Sequence, residues 1–244
     1  DFTINALYAD RDGTIFDPLG QGLADLERRK IVFVGDADTR IREDYLRILR
    51  FFRFHAAYGR GDPDPEGLAA CRRHARSLTT LSRERITQEV TKILMGSAPH
   101  RILPVMRDCR ILPAIFGSAM PLDDLERLVD LQKKVDFAAG DAAFCARLYV
   151  VLGYRYGAAL PLHKRMVLSK KQQEILQDLR QIKLDFAAIN THVLQTGLYR
   201  FSRDAVLGAV MVAAAQQKAP PETVTPLLHQ VKNMPVPVCP VQGR

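Results

Sequence analysis

The segment at residues 39–58 is apolar around most of its helical circumference. A helix of this kind is typical of a buried position, so the sequence predicts a largely buried helix over residues 38–58. A chain that contains it needs other helices packed around it on several sides. The apolar side chains of the segment are Ile41, Tyr45, Leu46, Ile48, Leu49, Phe51, Phe52 and Phe54.

One narrow polar stripe interrupts this apolar surface. Glu43, Asp44, Arg47 and Arg50 recur at spacings of three and four residues, which places them on one face of the predicted helix. Charged groups on a buried helix must be paired or must face a cleft. A ladder of ion pairs within the helix is one interpretation, but five arginines face only these two acids. We therefore expect a phosphate group or a base edge to balance the remaining charge. The five are Arg40, Arg42, Arg47, Arg50 and Arg53.

The first 36 residues differ from the rest of the chain. An Asp-Gly turn within residues 10–13 separates two short apolar runs and predicts a β-hairpin. Residues 24–30 favour a short helix and residues 31–34 a short strand. Beyond residue 37 the sequence pattern predicts helices alone, so the expected fold class is mainly α. The predicted helices cover residues 38–58, 66–77, 83–95, 99–108, 122–137, 141–154, 162–182, 187–197, 203–215 and 222–232.

The charge balance favours a polyanionic partner. The chain of 244 residues has a net charge of +8, and 25 of its 35 basic residues are arginine. The planar guanidinium group of arginine binds phosphates and base edges better than the ammonium group of lysine does. The longest apolar run, at residues 205–215, is about half the roughly 20 residues that a membrane-spanning helix needs, so no membrane partner is expected. Four widely spaced cysteines predict no metal site and a reducing, cytoplasmic location.

Five short motifs follow the order and spacing of one enzyme family. Glu-Asp-Tyr-Leu-Arg fits E-D-x-x-R, and Asp-Phe-Thr-Ile-Asn-Ala fits the end of R-R-D-F-T-I-N-A. The others resemble D-P-x-x-G-x-x-D-L, the lead-in to E-D-x-x-R, and a Glu-Arg-Ile-x-x-Glu element beside the nucleotide site. The chain thus resembles the class II tRNA nucleotidyltransferases, which comprise CCA-adding enzymes and relate to bacterial poly(A) polymerases. The motifs lie at residues 43–47, 1–7, 16–26, 33–41 and 84–89.

This resemblance implies addition of CCA to the 3′ end of tRNA, by nucleotidyl transfer from CTP and ATP with Mg²⁺ as cofactor. In the family, the carboxylates that hold the metal belong to a G-S…D-x-D motif upstream of R-R-D. We therefore expect no catalytic or metal-ligating residue in this chain and place the metal carboxylates upstream of Asp1. Because the chain begins with Asp rather than Met, we expect a fragment that is inactive alone.

The resemblance also implies a domain order: the remnant of an α+β nucleotidyltransferase head, followed by an elongated all-helical neck, body and tail. The end of the head is expected at residues 1–36 and the neck, with the base-recognition helix, at 37–110. The body and tail, which bind tRNA, are expected at 111–234, and a Pro-rich connector at 235–244. The oligomeric state is not predicted.

For nucleotide binding, the resemblance assigns Asp44 and Arg47 to the edge of the incoming base. Glu43 is expected to orient Arg47 or cap the helix, and Arg50 to meet a phosphate or pair with an acid. Asp1 and Asn5 resemble family residues near the sugar and triphosphate. Arg85 and Glu89 are expected to form an ion pair that gives structural support.

Two basic clusters are the candidate contacts for the tRNA backbone, each expected on a single helix. A solvated, non-functional face is an equally acceptable interpretation of such charge runs. The first cluster is Arg72, Arg73 and Arg76, and the second is Lys164, Arg165, Lys170 and Lys171.

Three alternatives remain open from the sequence. A bacterial poly(A) polymerase would share most of the motifs, although its key helix usually reads E-D-P-V-R-M-L-R. An enzyme that adds only CC or only A differs in a loop expected upstream of the first residue. A non-catalytic helical RNA-binding module belongs to another class, and it becomes the preferred interpretation if the chain is complete in the cell.

Overall fold

The computed structural model describes residues 1–117, 122–154 and 162–236. Over these residues the chain is mainly α-helical, with a single two-stranded sheet, which confirms the predicted fold class. The helices are α1 (Gly22–Glu27), α2 (Ala37–Glu43), α3 (Leu46–Tyr58), α4 (Pro65–His74), α5 (Arg83–Leu94), α6 (Pro99–Asp108), α7 (Ile111–Phe116), α8 (Leu125–Lys134), α9 (Gly140–Val151), α10 (Lys170–Gln181), α11 (Thr191–Arg200), α12 (Arg203–Gln216) and α13 (Pro221–Asn233).

The chain divides into two compact units. The first comprises Asp1–Met120 with Lys164–Val167, and the second comprises Pro121–His163 with Leu168–Arg244. The four-part division expected from the sequence is finer than this one and stays a prediction. Most of the expected connector, residues 237–244, lies outside the described residues. Within the described ranges, no helix combines the length and apolar character needed to cross a bilayer.

The N-terminal hairpin forms as predicted. Strands β1 (Tyr8–Ala9) and β2 (Ile15–Phe16) pair antiparallel, with Tyr8 opposite Phe16. The prediction of a strand at residues 31–34 is wrong, because only one isolated bridge, between Phe2 and Phe33, forms there. The bridge still fixes the start of the chain, since the Thr3 amide donates to the Val32 carbonyl at 2.9 Å.

The single helix expected over residues 38–58 is in fact two. Asp44 has extended backbone angles, φ −156° and ψ 106°, and separates α2 from α3. Its carboxylate accepts the amide of Leu46 at 3.1 Å, and its carbonyl accepts the amide of Arg47 at 3.0 Å. An aspartate that bonds nearby backbone amides competes with the helical pattern, and this explains the break. The helical periodicity of the side chains continues across residue 44, so the sequence pattern did not reveal the break.

Helix α3 carries the core of the first unit, and it packs against α5 and α6. Ile48, Leu49, Phe51 and Phe52 are fully buried. The Phe51 ring is stacked on Phe33 with a centroid distance of 5.4 Å and meets Phe52 edge-on at the same distance. The predicted burial of this segment is therefore confirmed.

The remaining helices of the first unit follow local capping signals. Asp64 caps α4 by accepting the Gly67 amide at 2.8 Å. Helix α4 ends at His74 and continues as a 3-10 turn, Ala75–Thr80, so the prediction of one helix at residues 66–77 is partly wrong. Helices α5 and α6 match their predicted bounds within one residue. Helix α7 was not predicted, because six residues are too few for a periodic pattern.

Helix α12 is the centre of the second unit. Every residue from 205 to 215 is buried, and the helix contacts α8, α9, α10 and α13. Gly208 permits a close approach, because a Cβ there would lie 3.3 Å from Leu179 Cδ2. Helix α10 begins at Lys170 rather than at residue 162, since Ser169 and Gln172 form a capping box. Asn190 likewise caps α11, three residues after the predicted start.

Truncation of Phe51 tests the core of the first unit. Phe51→Ala removes a ring with 0% exposure that is packed against three other rings, so we expect a loss of about 3–5 kcal/mol in the free energy of unfolding. Urea unfolding followed by circular dichroism measures it. Phe16→Ala is the control, because that ring is 41% exposed. Equal losses in the two variants would contradict the assigned core.

Candidate functional site

The predicted nucleotide-binding residues meet at the junction between α2 and α3. Glu43 is the last residue of α2, Asp44 is the break itself, and Arg47 lies in the first turn of α3. Asp1 reaches the same place because the backbone bridge between residues 2 and 33 holds the start of the chain against the core. The structure therefore brings these four predicted residues together.

Asp1 joins two arginines of α3. Its Oδ1 accepts a hydrogen bond from Arg47 Nε at 2.7 Å, and its Oδ2 lies 2.5 Å from Arg50 Nε in an ion pair. The Asp1 and Arg47 side chains are 16% and 15% exposed, so water screens this pair weakly. The sequence left open whether Arg50 pairs with an acid or meets a phosphate. In the structure, Arg50 pairs with Asp1.

Glu43 contacts two arginines, Arg47 and Arg40. Its Oε2 accepts from Arg47 Nη1 at 2.5 Å and from Arg40 Nη1 at 2.6 Å. These bonds, with the one from Arg47 as the largest cause, lower the pKa of Glu43. Arg47 Nη1 also donates to the Arg40 carbonyl at 2.6 Å. Arg47 is thus fixed through Nε and Nη1, which leaves Nη2 with no protein partner among the described residues.

Asp44 is held by a different helix. Its Oδ2 accepts from Arg85 Nη2 of α5 at 2.8 Å, while its Oδ1 takes the Leu46 amide. Burial acts to raise the pKa of Asp44, but the bonds from Arg85 and Leu46 outweigh it and the pKa is lowered. The side chain is 32% exposed. A carboxylate has about four acceptor positions, so both oxygens can accept further donors from solvent.

The expected ion pair between Arg85 and Glu89 does not form. Arg85 pairs with Asp44, and Glu89 accepts instead from Arg53 Nε at 2.6 Å and from Lys92 at 3.2 Å. Glu89 is only 4% exposed, and a buried carboxylate needs such partners. Both residues do connect α5 to the α2–α3 segment, as structural support requires. The sequence could not reveal this exchange, because the partners are 36 and 41 residues apart.

We expected an excess of unpaired arginines on residues 39–58, and this prediction is wrong in large part. Acids from outside it, Asp1 and Glu89, complete the pairing of Arg47, Arg50 and Arg53. Arg53 also lies over the ring of its neighbour Phe54, with Cζ 4.4 Å from the centroid. Arg42 is the exception: its contact is the Thr39 hydroxyl at 3.5 Å.

Asn5 stands apart from this network. It is exposed at the end of a 3-10 turn, Thr3–Asn5, and its backbone amide donates to the Phe2 carbonyl at 2.9 Å. Its side chain makes no hydrogen bond within the described residues. Its predicted place near the sugar or triphosphate stays a prediction.

The first predicted RNA-binding cluster is only partly available. Arg72 and Arg76 are exposed, but Arg76 lies in the 3-10 turn after α4 rather than on the same helix. Arg73 forms a two-pronged ion pair with Asp38 of α2, and His74 also contacts Asp38, at 2.8 Å. These bonds, the one from Arg73 first, hold the pKa of Asp38 at about 2.

The second cluster is not a single helical face. Lys164 and Arg165 belong to the first unit, at a 3-10 turn and the residue that follows it. Lys170 and Lys171 begin α10 in the second unit. Lys171 is engaged by two carboxylates. They are Asp204 at 2.7 Å and Asp141 at 3.6 Å.

The described residues do not fit the magnesium ions that the resemblance implies. Among them, no group of three or more His, Cys, Asp or Glu side chains is placed to hold a metal. Asp10 and Asp12 make a D-x-D by sequence, but Asp10 Oδ1 accepts the amides of Asp12 and Thr14 at 2.9 Å. Asp10 therefore stabilises the hairpin turn.

Comparison with known proteins matches this architecture. Residues 62–121 match the family model described as "Probable RNA and SrmB-binding site of polymerase A". The chain is 40% identical over 158 residues to the human mitochondrial CCA tRNA nucleotidyltransferase 1, covering 62% of this chain and 35% of that protein. It is 32% identical over 228 residues to the CCA-adding enzyme of Streptococcus pneumoniae, covering 92% of this chain and 55% of that one.

Solved structures agree with the curated relatives. The CCA-adding enzyme of Bacillus stearothermophilus, in complex with CTP, superimposes with a TM-score of 0.70 at 28% identity, over 95% of this chain and 57% of that one. The Thermotoga maritima enzyme complexed with tRNA shares the fold, with a TM-score of 0.69 at 18% identity over 96% and 59%. The chain spans about a third to a half of the length of the curated relatives described above.

In sequence and in its mainly helical fold, the chain is thus similar to tRNA nucleotidyltransferases. The relatives described above are CCA-adding enzymes, and this confirms the resemblance seen in the sequence.

The pairing of Asp38 predicts a change of stability with pH. Its folded-state pKa is about 2, against an ordinary value of 3.8, so its stabilising contribution is complete above pH 4 and is lost as pH falls toward 2. Asp38→Asn removes that contribution. We expect the urea midpoint of the variant to lie below that of the native chain at pH 5 and to converge with it near pH 2.

The control for this titration is Asp12→Asn in the exposed hairpin turn, where the carboxylate has no side-chain partner among the described residues. Its urea midpoint is expected to follow that of the native chain at every pH. A constant gap between Asp38→Asn and the native chain from pH 5 to pH 2 would show that the ion pair is not the cause.

Proposed function

We propose that this chain carries the base-selecting and tRNA-binding part of an enzyme that adds CCA to tRNA by nucleotidyl transfer from CTP and ATP. The observation that carries the proposal is the arrangement of Asp44 and Arg47. They lie three residues apart at a helix junction, and each is held by other groups rather than by the other. One carboxylate and one guanidinium are thus held at the same helix junction, each with bonding positions left open.

This pair suits the base edges of cytosine and adenine. The Asp44 carboxylate can accept from the amino group that both bases carry, while Arg47 Nη2 can donate to the neighbouring ring nitrogen or to the cytosine carbonyl. Uracil and guanine present a carbonyl where that amino group lies. An acceptor facing an acceptor leaves both unsatisfied, at a cost of about 1–3 kcal/mol. The pair therefore discriminates between bases without a nucleic-acid template.

Pre-organisation of the pair comes from three neighbours. Asp1 and Glu43 fix the guanidinium plane of Arg47 through two different nitrogens, and Arg85 fixes Asp44 from α5. Side chains that are already ordered lose little conformational entropy when a base arrives, so the discrimination is realised as binding free energy. Asp1, Glu43 and Arg85 are positioning residues in this proposal.

The other components of the proposal come from the family. Magnesium is the proposed cofactor, and it is assigned to no residue of this chain. The cytoplasm is the proposed location, supported by Cys71, Cys109 and Cys145, which are free and buried as expected in a reducing compartment.

Incorporation of nucleotides by the full-length gene product tests the function. The substrate is a tRNA transcript that ends before CCA, supplied with CTP, ATP, UTP or GTP. We expect two C residues and one A. Incorporation of ATP alone in long runs would support a poly(A) polymerase instead, and tRNA binding without any incorporation would support the non-catalytic module.

Alanine substitutions test base selection separately. Asp44→Ala and Arg47→Ala each remove one half of the pair, so we expect the preference for CTP over UTP to fall about 5- to 150-fold while tRNA affinity changes little. Ratios of kcat/KM between nucleotides measure this. Arg42→Ala is the matched control, since it removes an exposed arginine of α2 that has no carboxylate partner among the described residues. Unchanged nucleotide preference in both test variants would refute the assignment.

A further inference from the structure

A cavity of about 530 Å³ lies in the first unit, away from the residues that the family motifs mark. It is bounded by the last turn of α3, the loop at residues 59–63, the first half of α6 with the residues just before it, and the start of the segment that follows α1. Its lining combines apolar side chains, such as Ile102 and Val105, with charged ones at the rim.

Three arginines line this cavity, and none has a side-chain partner among the described residues. They are Arg29, Arg60 and Arg101, all exposed. The arginines at the α2–α3 junction behave differently, because most of them are paired with carboxylates. Asp62 is the one acid in the described lining. Burial lowers the pKa of His55 and so disfavours its charged form. The cavity therefore carries an excess of positive charge that the described part of the protein does not neutralise.

The backbone around the cavity also favours an anion. Helix α6 begins at Pro99 with no side-chain cap at Ala98 and no acid in its first turn, so the positive end of its dipole is unopposed there. The Arg60 amide donates to the Arg29 carbonyl at 3.0 Å and joins two of the three arginines. Gly59 is required for this loop, because a Cβ would lie 2.4 Å from His55 Nδ1. That Nδ1 is buried and has no hydrogen-bond partner among the described residues.

We propose that this cavity binds the sugar–phosphate backbone of RNA through Arg29, Arg60 and Arg101. The inference rests on the proposed function and names a contact surface for the tRNA. Guanidinium groups bind phosphate oxygens in a fork, and the apolar floor suits the ribose between phosphates. The volume exceeds that of one phosphate group and accommodates a short piece of backbone. The RNA-binding family model covers the side of the cavity formed by residues 62–121.

Salt-dependent binding to tRNA tests the proposal. The triple variant Arg29→Gln, Arg60→Gln, Arg101→Gln keeps the approximate size of the side chains and removes their charge. Removal of one phosphate contact lowers the slope of log affinity against log salt by about 0.7–0.9, so we expect a decrease of about 2 to 3 for the triple variant. We also expect a weaker affinity at every salt concentration. Fluorescence anisotropy of labelled tRNA measures both quantities.

Two controls separate this site from general effects of charge and folding. Arg28→Gln removes an arginine adjacent to Arg29 that is exposed and does not line the cavity, so we expect its slope to stay equal to that of the native chain. Arg60→Gln alone changes one loop side chain and still lowers the slope by about 0.7–0.9 if the triple variant fails to fold. Circular dichroism establishes the fold of each variant.

The outcomes are distinct. A folded triple variant whose slope and affinity equal those of the Arg28→Gln control would overturn the proposal while leaving the proposed function intact. Failure of the native chain to bind tRNA would overturn both. Loss of CTP binding in the triple variant, with tRNA binding retained, would assign the cavity to the free nucleotide and would equally overturn the RNA contact.

Discussion

The pairing of partly buried arginines is the constraint on which the first unit depends. Helix α3 must bury its apolar surface in the core, and the arginines on its remaining face are carried into surroundings where an unpaired charge is costly. Carboxylates from three other parts of the chain meet them: Asp1 from the N-terminus, Glu43 from α2 and Glu89 from α5. The same ion pairs hold these segments against α3 and so build the junction.

The break at Asp44 turns this packing into a candidate recognition site. In an unbroken helix, Asp44 and Arg47 are close enough to pair with each other across one turn. The extended backbone at residue 44 instead directs the carboxylate to Arg85, while Arg47 turns to Asp1 and Glu43. Each member of the pair is therefore bonded to an oppositely charged protein group and still has bonding positions for a base. The arginines of the α6 cavity have no such partners among the described residues, and this difference separates the proposed base-edge site from the proposed phosphate site.

Much of the fold could be predicted from the sequence, since burial and helical periodicity are local signals. The buried α3 core, the hairpin at the Asp-Gly turn and the bounds of α5 and α6 followed from them. Two of the errors occurred where a single side chain bonds nearby backbone amides: at Asp44, which breaks a helix, and at Ser169, which caps a helix that starts eight residues later than predicted. Hydrogen bonds of this kind do not alter the apolar pattern, so the pattern does not reveal them.

The sequence by itself indicated the family resemblance, the mainly helical class and the identity of the proposed base-selecting pair, because ordered motifs and apolar periodicity can be read along the chain. Only the tertiary structure decided which charges are free. Asp1 and Arg47, Asp44 and Arg85, and Arg53 and Glu89 are 46, 41 and 36 residues apart, and no spacing rule joins them. A charged group can bind a ligand only through the bonding positions that the fold leaves open, and these are fixed only once distant segments have packed together.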